Sequence, residues 1–282
     1  MRAMIFSIML LASTFTRAWG HEVDSKVLKE KEEALVAMQT RAFVAKERFF
    51  KGLSECAKAA YLEMFREASE ASGFPEDKLL EIILLESGCD PWAKNRSGAA
   101  GIGQIMPFTG KDMGLVEYKV VKKMLAVRRK GKVKKIPVFS KVRVRDDRFN
   151  PSLATMASAK HLAGLMERLG SVDNAIWAYH AGEGLVNKFI SVAKKTPGWE
   201  NEDMTPTKLY HIAHSGKNPQ LADMIAKFDS PKHDWTPTYL FRVACAGRLF
   251  KSYLAGTFDQ KNFSCSKLEE EEKDEEGQFT KE

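Results

Sequence analysis

The chain has 282 residues, 44% of them hydrophobic and 29% charged, which suits one sizeable folded domain or two small ones with a real core. Its formal charge of +7 suits an anionic partner. Only the first twenty residues hold an apolar run approaching membrane length, which excludes a protein of many spans.

That first run, "MRAMIFSIMLLASTFTRAWG", places Arg2 before apolar residues from Ala3 to Phe15 and small residues at Ala18 and Gly20. This is the layout of a secretory signal peptide (residues 1–20) with cleavage near Gly20 and His21. It is shorter than the ~20 apolar residues of a spanning helix, so the expected product is exported, periplasmic or secreted, with no membrane span. Export also leads the chain away from nucleic acid. Cys56, Cys89, Cys245 and Cys265 all follow the signal, an even number in an oxidising compartment. Three pairings are possible. Local spacing favours Cys56–Cys89 with Cys245–Cys265, small buried thiols are the alternative, and no zinc motif fits.

Residues 24–70 carry helical periodicity. Gly73 and Pro75 then punctuate, and Glu76 and Asp77 open a helix reading "EDKLLEIILLES", apolar on nearly every side and so buried all round. It ends at Ser87–Gly88. Residues 119–145 hold twelve Lys/Arg and no acid, and only the alternation over 132–145 suggests strands. Asn150 and Pro151 start another helix, with a stripe of Met156, Ala159, Leu162, Ala163, Met166 and Leu169. "SVDNAIWAY" gives a short helix. The last helix lies in "TPTYLFRVACAGRLFKSYLAG", with Leu240, Val243, Gly247, Phe250 and Leu254 on one face. The tail from Lys267 carries eight acids against three lysines and reads as a disordered, solvated end.

Glu86 closes the apolar helix. Burial disfavours a charged carboxylate, and the negative end of the helix dipole acts in the same direction. Both favour an acid that keeps its proton near neutral pH, as a general acid must. Glu81, on another face with no loop beside it, is expected to be structural or exposed. "SGAAGIGQIMP" follows, and Gly98, Gly101 and Gly103 let backbone approach a ligand or take positive φ. Neither nucleotide-binding glycine motif fits. Glycosidases normally use two carboxylates, yet Asp90, Asp112, Asp147 and Glu183 have no distinguishing context. A lone acid points to help from the substrate's own N-acetyl group.

"LLESGCDPWAKNRSGAAGIGQIMP", "DDRFNP", "AIWAYHAGEG" and "TPTYLFRV" together resemble the ordered motifs of soluble-type lytic transglycosylases, lysozyme-like enzymes that cut peptidoglycan. The resemblance covers residues 60–256, preceded by a helical segment at 21–59, interrupted by the basic insertion at 119–145 and followed by the tail at 257–282. It implies a mainly α (α+β lysozyme-like) fold with a small β or irregular piece. It also implies Glu86 as single acid/base, cleaving the MurNAc-GlcNAc β-1,4 bond to leave 1,6-anhydro-MurNAc. Ser87, Gln104 and Met106 would meet the sugars, and Tyr179 and Tyr239 would orient the acid. No metal or cofactor is implied.

Two positions depart from the family. His180 stands for the asparagine of Ala-Tyr-Asn-Ala-Gly, and Gly103 replaces a larger apolar residue, opening the floor of a subsite. His211 and His214 could share a helix face but lack a third metal ligand. The expected partner is the peptidoglycan glycan strand; the basic insertion either holds anionic stem peptides or other wall polymers or is a solvated insertion that keeps an edge strand from pairing. The alternatives are a muramidase on the same fold and a non-catalytic wall-binding protein.

Overall fold

A computed structural model describes residues 25–43, 47–129, 132–230 and 236–266. The expected signal peptide and the acidic residues 267–282 lie outside the described residues. The fold is mainly α-helical with one two-stranded antiparallel sheet. The helices are α1 (Ser25–Met38), α2 (Glu47–Cys56), α3 (Ala59–Ser72), α4 (Glu76–Ser87), α5 (Pro107–Asp112), α6 (Pro151–Leu169), α7 (Val172–Ala181), α8 (Glu183–Ala193), α9 (Pro206–His214), α10 (Pro219–Phe228) and α11 (Tyr239–Leu254). Strands β1 (Val116–Arg129) and β2 (Lys132–Asp146) lie between α5 and α6. By its contacts the chain divides into two compact units. One takes Leu165–Leu240 with the chain up to Glu32, and the other takes Glu33–Gly164 with the chain from Phe241.

In the unit of Glu33–Gly164, α2 and α3 pack on α4. Helix α4 starts after Pro75, carries Glu76 and Asp77 where its dipole favours acids, and stops at Gly88, whose φ of 62° is left-handed. Leu79, Leu80, Ile82, Ile83 and Leu84 are buried, as a helix apolar all round requires. Glu81 is buried with them, its carboxylate 2.8 Å from Lys78 Nζ and packed where a Cβ on Gly247 would overlap it. Burial pushes the Glu81 pKa up, and the Lys78 charge partly opposes this.

Both disulfides favoured by local spacing form: Cys56–Cys89 at a Cα separation of 5.4 Å and Cys245–Cys265 at 5.0 Å. The second holds residues 257–266 against α11, where Arg248 Nη1 donates to the Cys265 carbonyl at 2.7 Å.

In the unit of Leu165–Leu240, the rings of Trp177 and Phe189 meet at a tilt within the core, their centroids 5.1 Å apart, and Trp177 Nε1 donates to the Thr236 carbonyl at 2.9 Å. Ser171, Thr205 and Asn218 cap α7, α9 and α10 through side-chain oxygens.

Three expectations change. The strand signal was confined to 132–145, yet β1 pairs along its whole length, with Leu125 facing Ile136 and Val116 facing Asp146. "KVVKKMLAV" has no period-two alternation, so pairing with β2 rather than local pattern sets its conformation. On α6 the buried residues are Ala154, Thr155, Ser158, Ala159, Leu162 and Leu165, a face displaced from the stripe of Met156, Ala163, Met166 and Leu169. Small hydroxyl side chains count as polar in a pattern but let neighbours pack closely. Leu254, read as part of the α11 stripe, is exposed, because the helix ends there.

Candidate active site

Glu86 is half-buried in the last turn of α4. It lines a recess of about 420 Å³ with Glu47, Arg48 and Phe49 of α2 and with Leu84, Leu85, Ser87 and Gly88. Three ties hold this turn. Gly52 of α2 and Gly88 approach so closely that a Cβ on either would meet the other's backbone. Cys89 is bonded to Cys56 at the end of α2. Arg48 Nε donates to the Ser87 carbonyl at 3.2 Å, and its guanidinium lies 3.5 Å from Asp90. Ser87 is buried, and its hydroxyl donates to the Ile83 carbonyl at 3.2 Å within the helix.

The glycine-rich stretch folds as a compact loop. Gly101 N–H donates to the Ala93 carbonyl at 2.8 Å, and Ala100 and Ile105 exchange backbone hydrogen bonds at 3.2 and 3.0 Å. Gly98 and Gly101 take φ of 98° and 75°. The backbone of Arg148 passes so near Gly101 that a Cβ there would overlap the Arg148 carbonyl oxygen. Gln104 also has positive φ (47°), and its amide nitrogen donates to the carbonyls of Ala93 at 3.2 Å and Gly101 at 2.9 Å. Met106 is 42% exposed just before α5, with the Ser97 hydroxyl 3.9 Å from its sulfur.

Arg148, which the sequence reading left without a role, organises this loop from beneath. It is 1% exposed, and its Nη1 donates to the carbonyls of Gly98 (2.9 Å) and Ile105 (2.7 Å). Its Nε and Nη2 donate to the two carboxylate oxygens of Asp146 at 2.8 and 2.9 Å. Hydrogen bonding from Arg148 holds the Asp146 carboxyl below the ordinary aspartate range. The only trace of this in the sequence is the Asp-x-Arg spacing of "DDRFNP".

Trp92 is a second omission. It is 70% exposed and stacks at 5.8 Å on Phe149, over which Lys94 Nζ sits at 5.0 Å. Glu47 is a third: an acid on α2 lining the same recess as Glu86, with no local pattern to mark it. The Lys51 hydrogen bond, and then its charge, lower the Glu47 pKa.

In the other unit, the rings of His180 and Tyr239 stack at 4.3 Å with an 8° interplanar angle. Tyr239 is buried, while Tyr179 and His180 are half-buried at the end of α7. His214 Nδ1 lies 2.7 Å from the Tyr210 carbonyl, and His211 packs near Trp199. Among the described residues no group of three His, Cys, Asp or Glu side chains is placed to hold a metal ion.

The family model for the Transglycosylase SLT domain matches residues 63–201. The chain carries a transglycosylase SLT domain. The match takes in Glu86, Ser87, Gln104, Met106, Tyr179 and His180, and it ends before Tyr239. Among curated relatives, the peptidoglycan transglycosylase gp16 of Escherichia phage T7 is 34% identical over 125 residues, 44% of this chain and 8% of that protein. The membrane-bound lytic murein transglycosylase C of Edwardsiella ictaluri (strain 93-146) is 46% identical over 54 residues, 19% of this chain and 15% of that protein. The chain thus spans a small part of the length of either relative. Among the described residues no helix is long and apolar enough to cross a membrane.

Proposed function

We propose that the protein is an exported peptidoglycan lytic transglycosylase, with Glu86 as its single acid/base. The observation that carries this reading is Glu86 itself: a half-buried carboxyl at the fixed end of an apolar helix, facing a recess, inside the matched domain. The names of the two relatives, a peptidoglycan transglycosylase and a lytic murein transglycosylase, support the same substrate class.

In the proposed reaction, Glu86 gives its proton to the oxygen between N-acetylmuramic acid and N-acetylglucosamine as that bond breaks. The muramic acetamide oxygen attacks C1 and forms an oxazolinium, so no carboxylate nucleophile is required. The Glu86 carboxylate then takes the proton of the same sugar's C6 hydroxyl. O6 attacks C1, the oxazolinium reopens, and the product is the 1,6-anhydro sugar. Glu86 ends protonated, as it began. Ser87 keeps the last turn of α4 in place beneath the acid. Because the Gln104 amide nitrogen already serves the loop, its carbonyl oxygen is the end it offers to a sugar hydroxyl. Met106 gives an apolar contact to a sugar face, and Tyr179, His180 and Tyr239 serve as sugar-binding residues.

Glu47 favours a second reading, hydrolysis. An ionised carboxylate lining the same recess is what activation of water requires. Isolated sacculi digested with wild type, Glu86→Gln and Glu47→Gln and analysed by mass spectrometry separate the readings. Transglycosylation predicts anhydromuropeptides, lighter by one water than hydrolysis products, from wild type and Glu47→Gln but not from Glu86→Gln. Reducing-end products that vanish in Glu47→Gln select the muramidase. Undiminished release by Glu86→Gln refutes the proposal.

A further inference from the structure

The β1–β2 ribbon stands apart from the chemistry of Glu86. Strands of 14 and 15 residues at roughly 3.3 Å per residue make an arm about 45 Å long. From Lys119 to Ala126 and from Lys132 to Phe139 every side chain is exposed, so neither face of this stretch has a core to cover it. A bare two-stranded ribbon is marginal in water, and one exposing large apolar groups on both faces is made to meet something else.

Its residue order says what. Met124–Val127 faces Lys134–Pro137, and the charge-free residues Met124–Val127 and Ile136–Ser140 form a belt across the middle of the arm. Leu125 is 55% exposed opposite Ile136, while Met124 opposite Pro137 is 55% exposed on the other face. Phe139 is 65% exposed opposite Lys122. Cations bound the belt on both sides: Lys122, Lys123 and Lys141 towards the base, and Arg128, Lys132, Lys134 and Lys135 towards the tip. No acid occurs from Lys119 to Arg145, and the ribbon's ion pairs lie at its base, Arg143–Asp146 and Arg145–Asp147.

We propose that this ribbon docks the protein on an anionic phospholipid surface. The belt enters the region between headgroups and acyl chains, and the flanking lysines and arginines reach phosphates along their own stems. An anionic polymer would use the cations and leave the belt in water. A second copy would bring like charge against like charge along lysine-lined edges. The lipid surface is the partner that uses both features, and the proposal holds whichever reaction Glu86 performs.

The test is flotation of the full-length chain with vesicles containing phosphatidylglycerol and with pure phosphatidylcholine vesicles. The quantity read is the phosphatidylglycerol-dependent increment, compared between wild type and variants that share the same residues 1–20. A belt variant (Leu125→Thr, Ile136→Thr, Phe139→Thr) and a charge variant (Lys122→Gln, Lys134→Gln, Lys135→Gln) keep strand-compatible residues at exposed positions. Unchanged far-ultraviolet circular dichroism and sacculus digestion establish that they fold. Each variant is expected to lose the increment at least tenfold, with the wild-type increment falling as salt rises, and the belt variant should still sediment with isolated wall. Three results overturn the proposal: no increment in wild type; full retention by the belt variant, which would leave an anionic wall polymer as partner; or a dimer on sizing that the belt variant abolishes without any vesicle binding.

Discussion

Replacing Arg148 with methionine removes a guanidinium that is 1% exposed and donates to Asp146, Gly98 and Ile105. Breaking a buried pair from one side costs about 3–5 kcal/mol, and the part-buried Gly98 carbonyl left without this donor adds about 1 kcal/mol, whereas the Ile105 carbonyl keeps the Ala100 N–H. Asp146 is only partly buried and keeps Arg143 as a partner, which reduces its share, and the methionine stem fills part of the space. A net loss of about 4 kcal/mol follows, a large part of the ~5–15 kcal/mol typical of a folded domain. With a urea slope of about 2–3 kcal/mol per molar, the midpoint should fall by roughly 1.3–2 M. Acid supplies an independent check. Because the folded pKa of Asp146 is depressed, its contribution is present above the unfolded value of about 3.9 and is lost as pH falls through the lower folded one. The wild-type and Arg148→Met stabilities should therefore converge in acid. A midpoint shift worth less than about 0.5 kcal/mol, or a gap unchanged down to pH 2, would refute the reasoning.

Glu81→Gln tests the opposite sign. A buried acid whose folded pKa is raised costs stability above its unfolded value of about 4.3, and the cost grows until pH passes the folded value. The variant should gain on wild type in melting temperature between pH 4 and 7.5, and a pH-independent difference would contradict this. For Cys56→Ala with Cys89→Ala, the 33-residue separation gives about 4 kcal/mol of lost stability in the chain-entropy account. Denaturant unfolding should show it, together with a lower rate of glycan release because Cys89 lies three residues past Glu86. A loss under about 1 kcal/mol would mean that packing of α2 on α4 already fixes the turn.

The mainly helical fold was legible because its helices carry strong local marks. Pro75 with Glu76 and Asp77, Asn150 with Pro151, and Ser171 each set a start that the structure keeps. The α4 core was legible for the same reason, since six apolar residues between Leu79 and Leu85, interrupted only by Glu81, leave one way to fold. Where the sequence misled, the deciding partner was distant or the polarity scale was wrong. Strand β1 is made of residues that suit a helix as well, and β2 decides its state. The buried face of α6 includes Thr155 and Ser158, which no apolar pattern counts. At the site, the glycine loop showed in composition, but the guanidinium holding it arrives from 43 and 50 residues away at Ile105 and Gly98. Glu47 joins the recess only because α2 packs against α4.

The placement of Glu86 has a physical logic that does not depend on which sugar it meets. A general acid must be held to a fraction of an ångström, yet the last turn of a helix frays because its carbonyls lack intrahelical donors. Helix α4 answers this with groups that act independently. Gly88 turns left-handed and closes the turn by donating to the Leu84 carbonyl at 2.9 Å. Arg48 supplies a donor to the Ser87 carbonyl, and Cys89 ties the chain to α2 just beyond. Contact between Gly52 and Gly88 sets the spacing of the two helices at the level of backbone, where no side-chain rotamer can relax it. Loss of Arg48 or of the disulfide leaves the other ties in place, so the end of α4 should loosen and slow glycan release rather than unwind as an ordinary helix end would. Rigidity at this turn is thus built in twice over, by covalent bond and by backbone contact.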